Sequence, residues 1–249
     1  MTFTTTETEG GVATVSLARG KVNALNGAVV SELRSRLAEL EPDPLCRAVV
    51  LTGRGRFFSF GFDVPELYGL SKEEFTAYLE SFTGLYTYLF AYPKPVVAAL
   101  NGHAVAGGCM LGLACDVRVM ASGGAKIALN EIRFGSSLIA GATEMLRFQV
   151  GSAAAARVLT SGAMLTAGEA REIGLVEEVA PEERVLERAR EIASDLGSRA
   201  ASAFAGVKRL LRGPVVEEMR RREPESIRAF GEIWYSEPTR ASLREIQSR

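Results

Sequence analysis

The stretch from Val96 to Cys115 constrains the fold most, because it holds 20 consecutive residues without Asp, Glu, Lys or Arg. That length would be enough for a membrane-spanning helix. However, it contains Asn101, His103 and four glycines, and it is richer in Ala and Gly than in Leu and Ile. These residues favour a buried strand, a turn and a buried helix. The sequence therefore predicts a globular protein without a membrane partner.

The apolar pattern on either side of this stretch alternates between strands and helices. Gly11–Leu17 alternates as a half-buried strand does, and Arg47–Thr52 is a β-branched run closed by glycines. The remaining predicted elements of this half are helices at Ala28–Glu39, Lys72–Ala91 and Gly107–Ala114, strands at Pro95–Leu100, Val117–Ala121 and Lys126–Leu129, and a turn at Asn101–Ala106.

From Gly141 onward the pattern is helical, with a single strand signal at Leu175–Val179. Thr166 and Glu169 form a capping box that predicts a helix through residues 170–173, and Pro181 opens a long helix that reaches about residue 196. We therefore predict a core at residues 1–195 with the active site. Residues 196–249 are predicted as a helical appendage that packs on the core or on a neighbouring subunit.

Charge and cysteine content exclude several classes of protein. The 249 residues include 29 Lys and Arg and 30 Asp and Glu, so the net charge of -1 does not favour binding to nucleic acid. Three cysteines and one histidine give neither a disulfide framework nor the spacing of a metal site. The segment 1–10 lacks the basic and apolar order of a secretory signal. We expect a reduced, cytoplasmic protein without a metal.

Two glycine-containing segments follow predicted strands, where α/β proteins place their sites. They are residues 57–63, FFSFGFD, and residues 101–110, NGHAVAGGCM. Neither has the spacing of a nucleotide phosphate loop. Each can present a backbone N–H to a cleft, and the second also begins a helix, whose partial positive charge favours an anion. Two such donors would form an oxyanion hole, whereas the alternative is that these glycines only allow turns and close packing.

Several motifs together resemble the enoyl-CoA hydratase/isomerase, or crotonase, superfamily. FFSFGFD resembles its F-S-A-G-x-D segment, and PKPVVAALNGHAVAGGC resembles its K-P-V-I-A-A-V-N-G-x-A-x-G-G-G block. KVNALN, ALNEIRFG and LTSGAMLTAGEAREIGLVEEV resemble further family segments in the same order, over about residues 12–180. The resemblance implies an α/β, crotonase-like spiral of repeated strand-strand-helix (ββα) turns with a helical C-terminal part. It also implies a homotrimer or a dimer of trimers.

The resemblance assigns roles to residues of this chain. It places oxyanion-hole amides at Phe62 and Gly107, which would hold the thioester oxygen of an acyl-CoA. CoA would then be part of the substrate, and no bound cofactor is expected. The residues expected to contact the substrate are Ala24, Leu25, Phe60, Asp63, Val64 and Met110.

The chain departs from the family pattern at one position. Hydratases of the family carry two glutamates, but here the first position is Met110 and only the second is kept, as Glu131. Hydration needs a water to be deprotonated while a proton is delivered, whereas moving a double bond needs one base that takes and returns a proton. The family's Δ3,Δ2-enoyl-CoA isomerases have a similar arrangement. We therefore predict an isomerase with Glu131 as its catalytic base.

Other readings of the same residues stay open at this point. They are a hydratase that uses Glu131 with a group such as Asp63, a decarboxylase that needs the oxyanion hole alone, and a non-catalytic acyl-CoA-binding protein. His103 and Cys109 are predicted to be structural. Ser136, Ser137 and Glu144 are predicted either to line the acyl pocket or to serve loop and capping roles. Trp234 is predicted either to pack the last helix or to contact substrate or a subunit.

Overall fold

The computed structural model describes residues 2–247, which form two β-sheets wrapped by helices. The strands are β1 Thr4–Glu9, β2 Val12–Leu17, β3 Ala48–Gly53, β4 Phe57–Ser59, β5 Val96–Leu100, β6 His103–Val105, β7 Val117–Ala121, β8 Lys126–Ala128, β9 Leu165–Thr166 and β10 Glu178–Ala180. The α-helices are α1 Gly27–Leu40, α2 Val64–Leu67, α3 Lys72–Phe90, α4 Gly107–Ala114, α5 Ala140–Ser161, α6 Ala167–Glu172, α7 Val185–Gly197, α8 Ala201–Trp234 and α9 Glu237–Gln247. Two 3-10 turns, Glu131–Phe134 and Glu182–Arg184, complete these elements.

The large sheet has the strand order β1-β2-β3-β5-β7-β10. Strands β2, β3, β5, β7 and β10 run parallel, and β1 pairs antiparallel to β2. Every residue of β3 and β5 is buried, as expected for parallel strands covered on both faces. Helix α7 packs across β3, β5 and β7.

The small sheet has the order β4-β6-β8-β9 and repeats the connectivity of the large one. Each of β3, β5 and β7 is followed by a short strand of the small sheet, and a helix then leads the chain onward. This succession is a spiral of strand-strand-helix turns, so the predicted fold class is confirmed. The carboxyl ends of the short strands are where the two glycine-containing segments meet.

Local differences from the sequence-based predictions have simple causes. The segment Thr4–Glu9, TTTETE, is strand β1, whose alternation of Thr and Glu suits a strand with one solvated face. The predicted turn Asn101–Ala106 is wrong in part, because His103–Val105 pairs in parallel with β4 and β8. The capping box of Thr166 and Glu169 is confirmed, and its helix begins directly after the cap, at Ala167.

The C-terminal helices pack on the spiral. Helix α8 contacts α3 and α5, and a buried ion pair fixes its first half, with Lys208 Nζ 2.7 Å and Arg212 3.2 Å from the Asp116 carboxylate. In its second half the Trp234 ring stacks on Phe75 of α3 at a centroid distance of 4.6 Å. The predicted packing role of Trp234 is confirmed. The proposed boundary at residue 195 falls inside α7 and stays a prediction.

Candidate active site

The backbone at Phe62 is held by a single parallel bridge to Leu25. The Leu25 N–H donates to the Gly61 carbonyl at 2.8 Å, and the Asp63 N–H donates to the Leu25 carbonyl at 2.9 Å. The Gly61 carbonyl and the Asp63 N–H both point toward Leu25. The N–H of Phe62, which lies between these two residues, therefore points away from Leu25. Among residues 2–247, no oxygen accepts a hydrogen bond from the Phe62 N–H. This amide is therefore available to an external acceptor.

The side chain of Phe62 anchors the same segment. Its ring packs edge-on against Tyr78 and Phe82 of α3, with centroid distances of 5.1 and 5.0 Å. The Tyr78 hydroxyl donates to the Leu25 carbonyl at 2.9 Å, so α3 holds both partners of the bridge. This role of Tyr78 has no signal in the sequence beyond an aromatic residue within the predicted helix Lys72–Ala91.

The second candidate donor, Gly107, is the first residue of the buried helix α4. It follows Ala106, whose φ of 51° and ψ of -120° lie in a region that residues other than glycine rarely adopt. Such a conformation costs about 1–3 kcal/mol and occurs mainly at functional sites. The Gly107 N–H has no acceptor among the residues that the structure describes. It stands at the helix terminus that carries partial positive charge.

The two donor segments are in direct contact. A Cβ atom on Gly61, whose φ is +89°, would stand 2.9 Å from the Val105 carbonyl oxygen and 3.2 Å from the Gly107 nitrogen. A Cβ on Gly107 would in turn meet the Phe62 ring at 3.1 Å. Glycine is therefore needed at position 61 both for its conformation and for this approach. The predicted pair of amides is brought together by the fold.

Glu131 begins the 3-10 turn after β8, and its side chain is enclosed, with 3% of the residue exposed. Burial raises the pKa of this carboxyl to about 8. Its Oε2 atom is buried and has no hydrogen-bond partner among the described residues. The nearby Cys109 thiol on α4 has a pKa raised by burial and by the charge of Glu131. The carboxyl therefore lies beside the helix that begins at Gly107.

Met110 occupies the position on α4 where the family pattern would place another carboxylate. Met110 is 2% exposed, and its N–H donates to the Ala106 carbonyl at 3.0 Å. Of the other predicted contact residues, Leu25 is buried, and Ala24 and Val64 are half-buried. These residues bring no further titratable group to the site.

Phe60 is 47% exposed and lies two residues before Phe62. Its ring is 5.7 Å from Phe57 and 6.3 Å from His103, and the Phe57 and His103 rings are 5.2 Å apart. His103 thus belongs to an aromatic cluster at the surface.

The Asp63 carboxylate is occupied by local contacts. It accepts a hydrogen bond from the Glu66 N–H at 3.2 Å and so caps α2. It also forms an ion pair with Arg19, whose guanidinium lies 2.9 Å from the Glu66 carboxylate. These contacts give Asp63 a structural role.

Glu144 and Ser136, two further candidates for the acyl pocket, differ in whether their side chains already have partners. Glu144 pairs with Arg147 at 3.3 Å and with Arg222, so its carboxylate ties α5 to α8. Ser136 follows the Glu131 turn, and its N–H donates to the Glu131 carbonyl at 3.0 Å. The Ser136 hydroxyl is buried without a partner among the described residues, so it is available to a ligand or to water.

Residues 2–247 contain no group of three or more His, Cys, Asp or Glu side chains placed to hold a metal ion. Within the same residues, none of the helices has the length and apolar character needed to cross a bilayer.

The family model for enoyl-CoA hydratase/isomerase matches residues 7–245. The chain belongs to this family. It is 36% identical to the 2,3-dehydroadipyl-CoA hydratase of Escherichia coli, over 76% of this chain and 73% of that protein. It is also 36% identical to the mouse mitochondrial enoyl-CoA delta isomerase 1, over 75% of this chain and 66% of that protein.

The crystal structure of human mitochondrial delta3-delta2-enoyl-CoA isomerase is similar throughout, with a TM-score of 0.94, 27% identity and coverage of 99% of this chain and 97% of that one. The predicted membership of the crotonase superfamily is confirmed. Relatives of this chain carry both hydratase and isomerase names. What they share is action on acyl-CoA thioesters, and the chain is an acyl-CoA enzyme of the enoyl-CoA hydratase/isomerase family.

Proposed function

We propose that the enzyme shifts the double bond of a 3-enoyl-CoA to the 2 position. The observation that carries this proposal is that Glu131 is an enclosed carboxyl with a raised pKa, while Met110 stands at the position where the family pattern would place the second carboxylate needed for hydration. One base is sufficient for an isomerisation, because the proton that it removes from one carbon is the proton that it returns to another.

In the proposed reaction the ionised Glu131 takes a proton from C2 of the acyl group. The electrons of the broken C–H bond form a dienolate, and its charge develops on the thioester oxygen. The N–H groups of Phe62 and Gly107 donate to that oxygen, which places fixed dipoles where the charge appears. Protonated Glu131 then returns the proton to C4, leaving the double bond between C2 and C3.

The enclosed position of Glu131 suits this shuttle. A carboxyl with a pKa of about 8 is a much stronger base than an exposed glutamate once it is ionised. It also holds the proton firmly enough between the two transfers to limit loss to water. A pKa close to the working pH is what efficient acid-base catalysis requires.

A surface cavity of about 840 Å³ supports binding of the nucleotide end of CoA. Three exposed basic side chains line it, those of Lys21, Arg54 and Arg56, together with Glu182. The Phe57 and His103 rings also face this cavity and contact Phe60. Cationic groups beside aromatic rings suit phosphates and a purine base.

The alternative activities have weaker support. Hydration would need a partner for Glu131, and Asp63 is occupied by its cap and its ion pair with Arg19. A non-catalytic binder would have no use for an enclosed carboxyl with an unpartnered oxygen, which is unfavourable for folding when ionised. Decarboxylation would need the oxyanion hole but not the base.

We further propose that the protein assembles as a homotrimer or a dimer of trimers, as the family resemblance implies. Phe230, Trp234 and Leu243 are buried within one chain. The apolar side chains left exposed on α8 are instead Val207, Leu210 and Leu211. Exposed apolar side chains that adjoin one another are typical of a protein interface. Light scattering would detect three or six chains, whereas a concentration-independent monomer would contradict this proposal.

The class of reaction can be tested by mass spectrometry across a set of acyl-CoA thioesters that includes 3-enoyl, 2-enoyl and malonyl-type members. Isomerisation leaves the mass unchanged, so it is detected by chromatographic separation of the 2-enoyl-CoA product from its 3-enoyl isomer. In D₂O that product should gain little deuterium, because Glu131 returns the proton that it removed. Hydration adds the mass of water, and decarboxylation loses the mass of CO₂. Saturable binding with neither a mass change nor a shifted double bond would show a non-catalytic binder and overturn the proposal.

A further inference from the structure

Helix α9 contacts both halves of the candidate site, although it is far from each of them along the chain. One contact is to Gly135, which ends the 3-10 turn that begins with Glu131. The other is to Tyr68, which ends the helix that follows Phe62. A single C-terminal element therefore bridges the segment of the base and the segment of an oxyanion donor.

The contact on the side of the base is a buried hydrogen bond. The Thr239 hydroxyl donates to the Gly135 carbonyl at 2.6 Å, and Thr239 is fully buried. Gly135 has a φ of 76° and closes the turn by donating its N–H to the Ile132 carbonyl at 3.2 Å. The Thr239 hydroxyl thus holds the far end of the turn that carries the carboxyl.

The contact on the donor side combines a hydrogen bond with ring stacking. The Arg240 guanidinium donates to the Tyr68 carbonyl at 2.8 Å and lies 3.3 Å from the centroid of the Tyr68 ring. The Tyr68 N–H donates to the Val64 carbonyl at 2.8 Å and so belongs to the last turn of α2. Because α2 begins directly after Asp63, Arg240 holds the helix into which the Phe62 segment leads.

These contacts matter because few hydrogen bonds hold the Glu131 carboxyl in position. Its Oε2 atom has no partner in the described residues, and the backbone of Glu131 itself hydrogen-bonds to the carboxyl, so the position of the carboxyl depends on the backbone of its turn. Proton transfer from a substrate held by the two amides needs the base at a set distance. A displacement of about 1 Å can lower the rate about 10²-fold.

We propose that α9 is a clasp that fixes the separation between the oxyanion donors and the Glu131 carboxyl. Thr239 is a positioning residue that acts through Gly135, and Arg240 is the anchor at the opposite end. Neither side chain needs to touch the substrate. The inference rests on the proposed function, in which Glu131 and the two amides act on one thioester.

The test compares variants of the full-length protein. Thr239→Val keeps the shape of the side chain and removes the hydroxyl, whereas Thr239→Ser keeps the hydroxyl. We expect Thr239→Val to lower kcat for 3-enoyl-CoA about tenfold with KM changed less than about twofold, and Thr239→Ser to stay near wild type.

Arg240→Met should also lower kcat. Its matched control, Arg244→Met, removes a guanidinium of the same helix that pairs at the surface with Glu237 and should leave kcat unchanged.

Amide hydrogen exchange gives a second measurement that does not depend on turnover. Thr239→Val should speed exchange at the amides of Gly135 and Ser136, which donate to the carbonyls of Ile132 and Glu131 respectively. Folded Thr239→Val with unchanged kcat, or with unchanged exchange at these amides, would overturn the clasp, as would an equal loss of kcat in Thr239→Ser. If the proposed function itself is wrong, wild type will not isomerise any enoyl-CoA. The exchange comparison then decides whether α9 holds the turn.

Discussion

The backbone N–H of Ala106 donates a hydrogen bond of 2.8 Å to the carbonyl oxygen of Ala128. Ala106 directly precedes the proposed donor Gly107, and Ala128 is three residues before Glu131. The bond therefore joins the start of α4 to the end of the strand that leads into the proposed base. Together with the pairing of β6 and β8, it fixes the two functional groups on one rigid frame.

Gly107→Pro should abolish turnover, because proline removes the N–H that is proposed to bind the thioester oxygen. The loss expected for one donor is about 10²–10³ in kcat. Proline suits the first position of a helix, but a Cβ at this position would meet the Phe62 ring at 3.1 Å, so circular dichroism must show that the variant folds. Gly107→Ala, which adds the Cβ and keeps the N–H, is the matched control. Steady-state kinetics on 3-enoyl-CoA provides the measurement. A folded variant with the wild-type rate would exclude Gly107 from the site.

Glu131→Gln should lower isomerisation about 10²-fold or more, since the amide keeps the size of the side chain but cannot accept the proton. Binding of the thioester should largely remain, which calorimetry with an unreactive acyl-CoA would measure. The variant should melt at the same temperature as wild type or higher above pH 8, because burying an ionised carboxylate opposes folding. Full activity in the folded variant would remove Glu131 from the mechanism.

The rate of isomerisation should depend on pH through the raised pKa of Glu131. Since burial raises that pKa to about 8, the carboxyl is mostly protonated at lower pH and unable to act as a base. We expect kcat/KM to rise about tenfold per pH unit well below pH 8 and to level off above it. The measurement is a pH series from 5.5 to 9.5. A profile already flat from about pH 5.5 would show that the carboxyl ionises as an exposed glutamate does.

Met110→Glu should raise hydration of 2-enoyl-CoA above the wild-type rate, because it restores a carboxylate at the position that the family's hydratases use. Met110→Gln is the matched control, with similar size and no titratable group. Burial would raise the pKa of the new carboxyl, so the gain should be larger at high pH. An equal gain in Met110→Gln would show that polarity alone, rather than a second base, is responsible.

The buried strands of the fold could be predicted because burial on both faces leaves an unmistakable apolar run. Val96–Leu100 and Ala48–Gly53 were predicted to within a residue or so. Strand β1 could not be predicted in this way, since its Thr and Glu residues take a strand conformation only by pairing with β2. The 34 residues of α8 continue through Pro214 and Pro224, which the sequence pattern would treat as breaks.

The chemistry of the site was less predictable than its residue types. Motifs pointed to Phe62, Gly107 and Glu131, but no pattern in the sequence indicates that the Glu131 carboxyl is enclosed or that its pKa is raised. Likewise the contacts of Thr239 and Arg240 join segments more than 100 residues apart. Such features arise from tertiary packing and have no local signal in the sequence.

The choice between isomerase and hydratase is decided by two rates of the wild-type enzyme, measured in one preparation. Isomerisation of a 3-enoyl-CoA and hydration of the 2-enoyl-CoA of the same chain length are measured at the same pH and enzyme concentration. We expect kcat/KM for isomerisation to exceed that for hydration at least about tenfold, because Met110 leaves Glu131 as the one carboxylate proposed to act on the acyl group. Hydration that is as fast as isomerisation, or faster, would contradict the proposed function.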